Sequence, residues 1–183
     1  MDRKQLLEKI IAREAAMFIA VKASEPADCQ EMLKTFYLMR EMSHSVLAAD
    51  TLTSYLQDLE TAAAAGRNLM TEKYARMENL IPSLNENELI CKIVDIERKW
   101  LSEVHKKYPL TIAVEGGFTT YAVCELETYS DATLNLYYRD IFLAATQKRN
   151  LVEERYQYLY GNLGFKDLEE VEALAQKRAA VKE

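Results

Sequence analysis

Two glutamates stand where a carboxylate is least expected. Glu14 lies four residues after Ile10 and four before Phe18, and Glu97 sits among Ile93, Val94, Trp100 and Leu101, each in the middle of an apolar helical face. A buried carboxylate is strongly unfavourable unless it is paired, hydrogen-bonded or neutral, so each needs a partner. Arg40, at helical spacing from Phe36 and Tyr37, is one candidate, and the phenols of Tyr55 and Tyr137 are others. Two chemistries compete. In the structural one, the glutamates bond a helix end or a tyrosine across a bundle. In the catalytic one, Glu14 and Glu97 face a shared interior where desolvation raises a carboxyl pKa and suits it to proton transfer, while Arg40 holds an anionic group.

A second set is Glu41-x-x-His44, whose carboxylate and imidazole share one helix face, as in half of a carboxylate-bridged di-iron site. The positions that would supply the other half are Val123 and Leu126, so Glu41 and His44 are weak metal candidates and no metal is expected. Cys29 falls in a first helical turn, where the helix dipole lowers a thiol pKa, but neither histidine is near it in sequence. Cys91 and Cys124 lie within helices and read as small core residues.

These residues need helices to hold them. Leu6, Leu7, Ile10, Ile11, Glu14, Phe18 and Val21 define one face of a helix from about Gln5 to Lys22. Asp28 and Glu31 form a capping-box pattern for a second helix carrying Met32, Leu33, Phe36 and Tyr37. Asp50 can cap a third, which Gly66 ends with a left-handed residue, and Asn68 can cap a fourth. Asn85 with Glu88 reads as the capping box of a fifth helix. Further helices are expected near Thr120 to Tyr129, from Asp131 to about Lys148, from Leu151, and after an Asp167–Glu170 cap, with Gly161 and Gly164 as breaks.

The chain repeats itself. Ser54 to Met77 realigns with Leu136 to Leu159 at a shift of about 82 positions, pairing Tyr55 with Tyr137, Asp58 with Asp140, Arg67-Asn68-Leu69 with Arg149-Asn150-Leu151, Glu72 with Glu154 and Tyr74 with Tyr156. The first helix realigns with the fifth at a shift of about 83, which superposes Glu14 on Glu97. Two helical units that each leave an apolar face uncovered should pack on one another. The expected fold is therefore all-α: a single compact bundle over residues 1–183, built from two duplicated multi-helix units, roughly 5–80 and 88–163, related by an approximate twofold axis, with a C-terminal helix over about 167–182.

Composition narrows the function classes. A formal net charge of −6, with basic residues interspersed among acidic ones, argues against nucleic acid. No apolar run is long enough to span a bilayer and the charged start MDRKQLLEKI does not resemble a signal sequence, so the chain reads as cytoplasmic. Three widely spaced cysteines make no disulfide framework or zinc spacing. Arg67 and Asn68 invite a phosphate contact, although a helix junction explains them more simply, with Asn capping and Arg meeting nearby carbonyls.

The strings SYLQDL and GRNLMTEKYARM, with CQ ahead of TFYLMR and ELETYSDATLNLY later, resemble the bacterial family known as domain of unknown function 4125. The similarity runs from the first helix to Gly164-Phe165 and Leu168-Glu169-Glu170; the chain departs from the family pattern over Met42 to Leu47. The resemblance implies a small helical bacterial protein, sometimes joined to or beside a nucleotidyltransferase-like domain, and carries over Glu14, Cys29, Gln30, Arg40 and Gly66-Arg67-Asn68 as candidate pocket residues. The expected function is a helical module binding a small ligand or a protein partner, without a cofactor and with no oligomeric state implied. Tyr55, Tyr137, Cys29, Gln30, Arg67 and Asn68 are the ligand-binding candidates. The alternative is a cofactor-independent enzyme on a small polar metabolite, with Glu14, Glu97 and Arg40 as its catalytic set.

Overall fold

The computed structural model describes residues 2–21, 29–114 and 116–181, the side chains of 29–32 excepted. Among them the chain forms nine α-helices and no strand: α1 (Arg3–Ile19), α2 (Cys29–His44), α3 (Ala49–Ala64), α4 (Leu69–Met77), α5 (Leu89–Lys107), α6 (Phe118–Leu126), α7 (Asp131–Thr146), α8 (Leu151–Asn162) and α9 (Leu168–Ala180). None is long and apolar enough to cross a membrane. The expected Asp28–Glu31 capping box lies outside the described residues.

Helix α1 begins with a capping box: the Asp2 side chain accepts from the Gln5 N–H, and Asp2 N–H donates to the Gln5 side chain. Its periodic face buries Leu6, Leu7, Ile10, Ile11, Ala15 and Met17, and Glu14 with them. Helix α1 packs against α2, α3 and α4; helix α5 packs in the same way against α6, α7 and α8. Across the molecule α3 meets α7, α2 meets α8, and α4 meets α6, so the two groups of four enclose one apolar core. Helix α9 docks on α8, and its Glu172 and Glu169 accept bonds from Thr111 and Tyr108 in the segment after α5.

Several local devices recur in the two groups. Asn68 caps α4 by accepting from Met70 and Thr71 N–H, and its amide donates to the Met17 carbonyl on α1. Asn150 caps α8 by accepting from Glu153 N–H, and its amide donates to the Trp100 carbonyl on α5. At the end of α3, Gly66 has φ of 70° and Arg67 N–H reaches the Ala62 carbonyl; at the end of α7, Lys148 has φ of 57° and Arg149 N–H reaches the Ala144 carbonyl. The starts of α3 and α7 exchange acids: Asp140 on α7 accepts from Ala48 N–H and the Thr51 hydroxyl, and Asp58 on α3 accepts from Ser130 N–H.

That exchange corrects one sequence expectation. Asp50 does not cap α3; the N-cap is Ala48, its amide is met by Asp140, and Asp50 in the first turn pairs with Arg139. The Asn85–Glu88 box does not form either. Asn85 accepts from Asn87 N–H, Asn87 accepts from Leu89 N–H, and the Asn85 amide reaches the Tyr129 carbonyl, so an asparagine relay replaces the box. Gly161 lies inside α8, and the break falls at Gly164, with φ of 91°. Cys91, expected inside, is exposed on α5, whereas Cys124 is buried.

Candidate functional site

Both anomalous glutamates are buried, Glu14 at 0% exposure and Glu97 at 4%. Each finds the tyrosine from the helix that its own helix packs on: Tyr55 on α3 donates to Glu14 at 2.7 Å, and Tyr137 on α7 donates to Glu97 at 2.9 Å. Each also finds an arginine, but from different places. Arg40 on α2 grips Glu14 with two nitrogens, Nε to Oε2 at 2.9 Å and Nη2 to Oε1. Arg155 on α8 reaches Glu97 through Nη2 alone, at 2.8 Å to Oε1, and the same nitrogen donates to the Tyr137 hydroxyl at 2.6 Å.

The Glu14 cluster is the larger. His44 Nε2 lies 3.0 Å from Glu14 Oε1, so an N–H on that nitrogen donates to the carboxylate. Arg40 Nη2 also meets Glu125 Oε1 on α6, and Lys73 on α4 donates to Glu125 Oε2 at 2.8 Å. Tyr121 closes this end, its hydroxyl 3.1 Å from Lys73 Nζ and 3.4 Å from Arg40 Nη1, with the ammonium 4.5 Å from the centre of its ring. Four helices thus meet on one chain of alternating charges: Glu14, Arg40, Glu125, Lys73.

Burial pushes the Glu14 carboxyl up, but Arg40 first and His44 second outweigh it and hold the group well below the usual carboxylate range. The raised pKa that the catalytic alternative required is not found at Glu14, which stays ionised. Glu125 follows the same logic: burial raises it, Arg40 and Lys73 lower it, and the balance is about 2. Burial pushes the Tyr55, Tyr129 and Tyr137 phenols up, with nearby carboxylates adding to it, so all three remain neutral hydrogen-bond donors at pH 7.

A cleft of about 540 Å³ opens beside these clusters. Its polar wall includes Arg40, His44, Glu97, Glu125, Tyr137 and Arg155; its apolar wall includes Met39, Met42, Leu101, Ala122, Leu126 and Val152. Glu97 thus reaches the cleft wall, whereas Glu14 and Tyr55 lie behind Arg40 and His44. One wall residue stands out: Arg155 has a buried side-chain nitrogen, Nε, with no hydrogen-bond partner. An orphaned buried donor of this kind costs about 1–3 kcal/mol.

The other sequence candidates lie elsewhere. Arg67 pairs with Glu72 on the surface, as Arg149 does with Glu154, and Asn68 is occupied as a cap. Glu41 accepts from the Tyr158 hydroxyl at 2.6 Å, while His44 turns to Glu14, so the two do not converge. No group of three or more His, Cys, Asp or Glu among the described residues is placed to hold a metal ion. Cys29 and Gln30 open α2, with side chains outside the described set.

Sequence reasoning missed Lys73, Glu125, Tyr129 and Arg155. A signal existed for two of them: the repeat aligns EKY (Glu72 to Tyr74) with ERY (Glu154 to Tyr156), which sets Lys73 and Arg155 at one basic position of the sequence repeat. Glu125 had no such signal, because its counterpart is Ser43.

Comparison with curated proteins and comparison with solved structures each gave no match. A family model described as a protein of unknown function matches residues 4–173, from α1 into α9, and the chain belongs to that family, DUF4125.

Proposed function

We propose that the cleft is a binding site for a small polar molecule and that the protein works as a ligand-binding helical module. The observation that carries this reading is the gathering of Arg40, His44, Glu97, Glu125 and Arg155 on the wall of one cleft that also has an apolar side. Its volume of about 540 Å³ suits a small metabolite, and a few convergent polar groups against an apolar wall are what such sites consist of. The buried ion pairs fix those groups before any ligand arrives, which lowers the ordering cost of binding. Reporting ligand occupancy to a nucleotidyltransferase-like protein fits the family resemblance and would make the module a regulator.

The same reading takes the two groups of four helices as copies of one ancestral unit. Its support is the recurrence of Glu with Tyr, of the Asn caps, of the left-handed stops and of the exchanged acids at positions the sequence repeat aligns.

A cofactor-independent enzyme is the second reading, and Glu97 favours it. That carboxylate reaches the cleft wall with a phenol and a guanidinium bonded beside it, a placement open to a substrate proton.

A thermal-shift screen of metabolites against the native protein and a Ser43→Trp variant tests the binding reading. Ser43 lines the cleft at a half-buried position, so the indole should fill the mouth and leave the fold intact. Compounds that raise the native melting temperature and lose their effect in the variant support the site. A broad screen without such a compound refutes it. Following each ligand by NMR over hours then separates the two readings: an unchanged ligand indicates a module, and conversion that Glu97→Gln abolishes indicates an enzyme.

A further inference from the structure

We propose that Arg155 is the anchor for an oxyanion, a carboxylate or phosphate group carried on an apolar body, in the cleft just described; the proposal rests on that cleft being a binding site.

The two buried arginines carry the argument. Arg40 has all three guanidinium nitrogens engaged: Nε and Nη2 on Glu14, Nη2 again on Glu125, and Nη1 with the Tyr121 hydroxyl. Arg155 is nearly as buried, at 9% exposure, yet its bonds to Glu97 and Tyr137 both leave from Nη2, and Nε has no partner. Glu97 therefore binds Arg155 through one oxygen where Glu14 binds Arg40 through two.

A guanidinium nitrogen can only donate, so whatever completes Arg155 must accept. A charged donor selects an oxyanion over a neutral carbonyl, because charge-assisted hydrogen bonds are the stronger ones. A cation finds no free acid on the same wall, because Glu97 is held by Arg155 and Glu125 by Arg40 and Lys73. The rest of the ligand meets Leu101, Ala122, Leu126 and Val152, which call for an apolar body.

The probes are four phenyl compounds differing in their head group: phenylacetate, phenylphosphate, benzyl alcohol and benzylamine. Calorimetry on the native protein is expected to show at least one anion binding ten or more times tighter than benzyl alcohol, with benzylamine weaker still. The two anion arms tell a carboxylate site from a phosphate site. Arg155→Lys keeps the charge but removes the Nε donor, and should weaken the preferred anion about tenfold while leaving benzyl alcohol unchanged. A crystal of the native protein with 4-bromophenylacetate needs no variant: the bromine fixes the pose, and a carboxylate oxygen within hydrogen-bond distance of Arg155 Nε supports the assignment. Benzyl alcohol or benzylamine binding as tightly as the anions, with binding lost in Ser43→Trp, overturns the oxyanion anchor but leaves the cleft as a binding site. Only an ordered water on Nε, with the carboxylate elsewhere, overturns the anchor too. Failure of every compound in the broad screen above removes the binding site and this proposal together.

Discussion

Glu14 and Glu97 occupy matching positions on α1 and α5, and each takes a tyrosine hydroxyl from the neighbouring helix, yet their surroundings differ. Glu14 is enclosed by Arg40, His44 and Tyr55, and its arginine is shared with a further acid-base pair. Glu97 has Tyr137 and a single nitrogen of Arg155, and it reaches the cleft wall. One buried acid sits in a structural knot that ties four helices. The other lies on the cleft wall beside an arginine whose Nε has no partner. The difference originates on α2 and α6, where the aligned positions hold Arg40 against Ala122, and His44 against Leu126.

The largest expected effect tests that contrast directly. Arg40→Leu leaves Glu14 and Glu125 buried without their main partner and should lower unfolding free energy by about 3–5 kcal/mol in urea titrations. Arg155→Leu affects only Glu97, which keeps its bond from Tyr137, and should cost less, under about 3 kcal/mol. Equal losses would remove the distinction between knot and site.

Acid should act through the knot. Glu14 and Glu125 have folded pKa values below their ordinary value of 4.5, Glu125 at about 2. A depressed acid contributes stability that is fully present above its unfolded pKa and is lost as pH falls through the folded one. Stability should therefore decline from about pH 4.5 towards about pH 2, and Glu125→Gln should flatten that decline in acid-unfolding curves while lowering stability at pH 7. An acid limb identical to the native one would place the linkage elsewhere.

Much of this arrangement was legible beforehand, and the residues show why. Glu14 and Glu97 interrupt apolar periodicity, a local anomaly, and Tyr55, Tyr137 and Arg40 were polar groups on helical faces able to answer it. The caps at Asn68 and Asp167 and the stop at Gly66 are likewise decided within one turn of chain. Asp140 at the start of α3 was not legible, since its partner Ala48 is distant in sequence and a nearer acid, Asp50, offered a plausible local answer. Glu125 and the cleft were hidden for the same reason: they exist only once α6 lies against α2 and α4.

Smaller effects sharpen the contrast. Tyr137→Phe leaves Glu97 with Arg155 alone, whereas after Tyr55→Phe the carboxylate of Glu14 still has Arg40 and His44. Thermal denaturation should show a cost of about 2 kcal/mol for the first and about 1 kcal/mol for the second. The reverse order would mean that Glu97 is solvated well enough to need no phenol. Smallest of all, Lys148 stands in the left-handed conformation that Gly66 occupies in the other half. Lys148→Gly should stabilise by about 0.5–1 kcal/mol and Gly66→Ala should destabilise by a similar amount, since no atom crowds a β-carbon at Gly66 and backbone strain alone decides.

The acids exchanged between α3 and α7 bear on whether either half can stand alone. Each half lends the other the group that completes a helix start, so a polypeptide carrying only one half would lack it. Neither half is complete without the other, and expressing the segments before and after Pro82 as separate pieces should restore helical structure only when both are mixed.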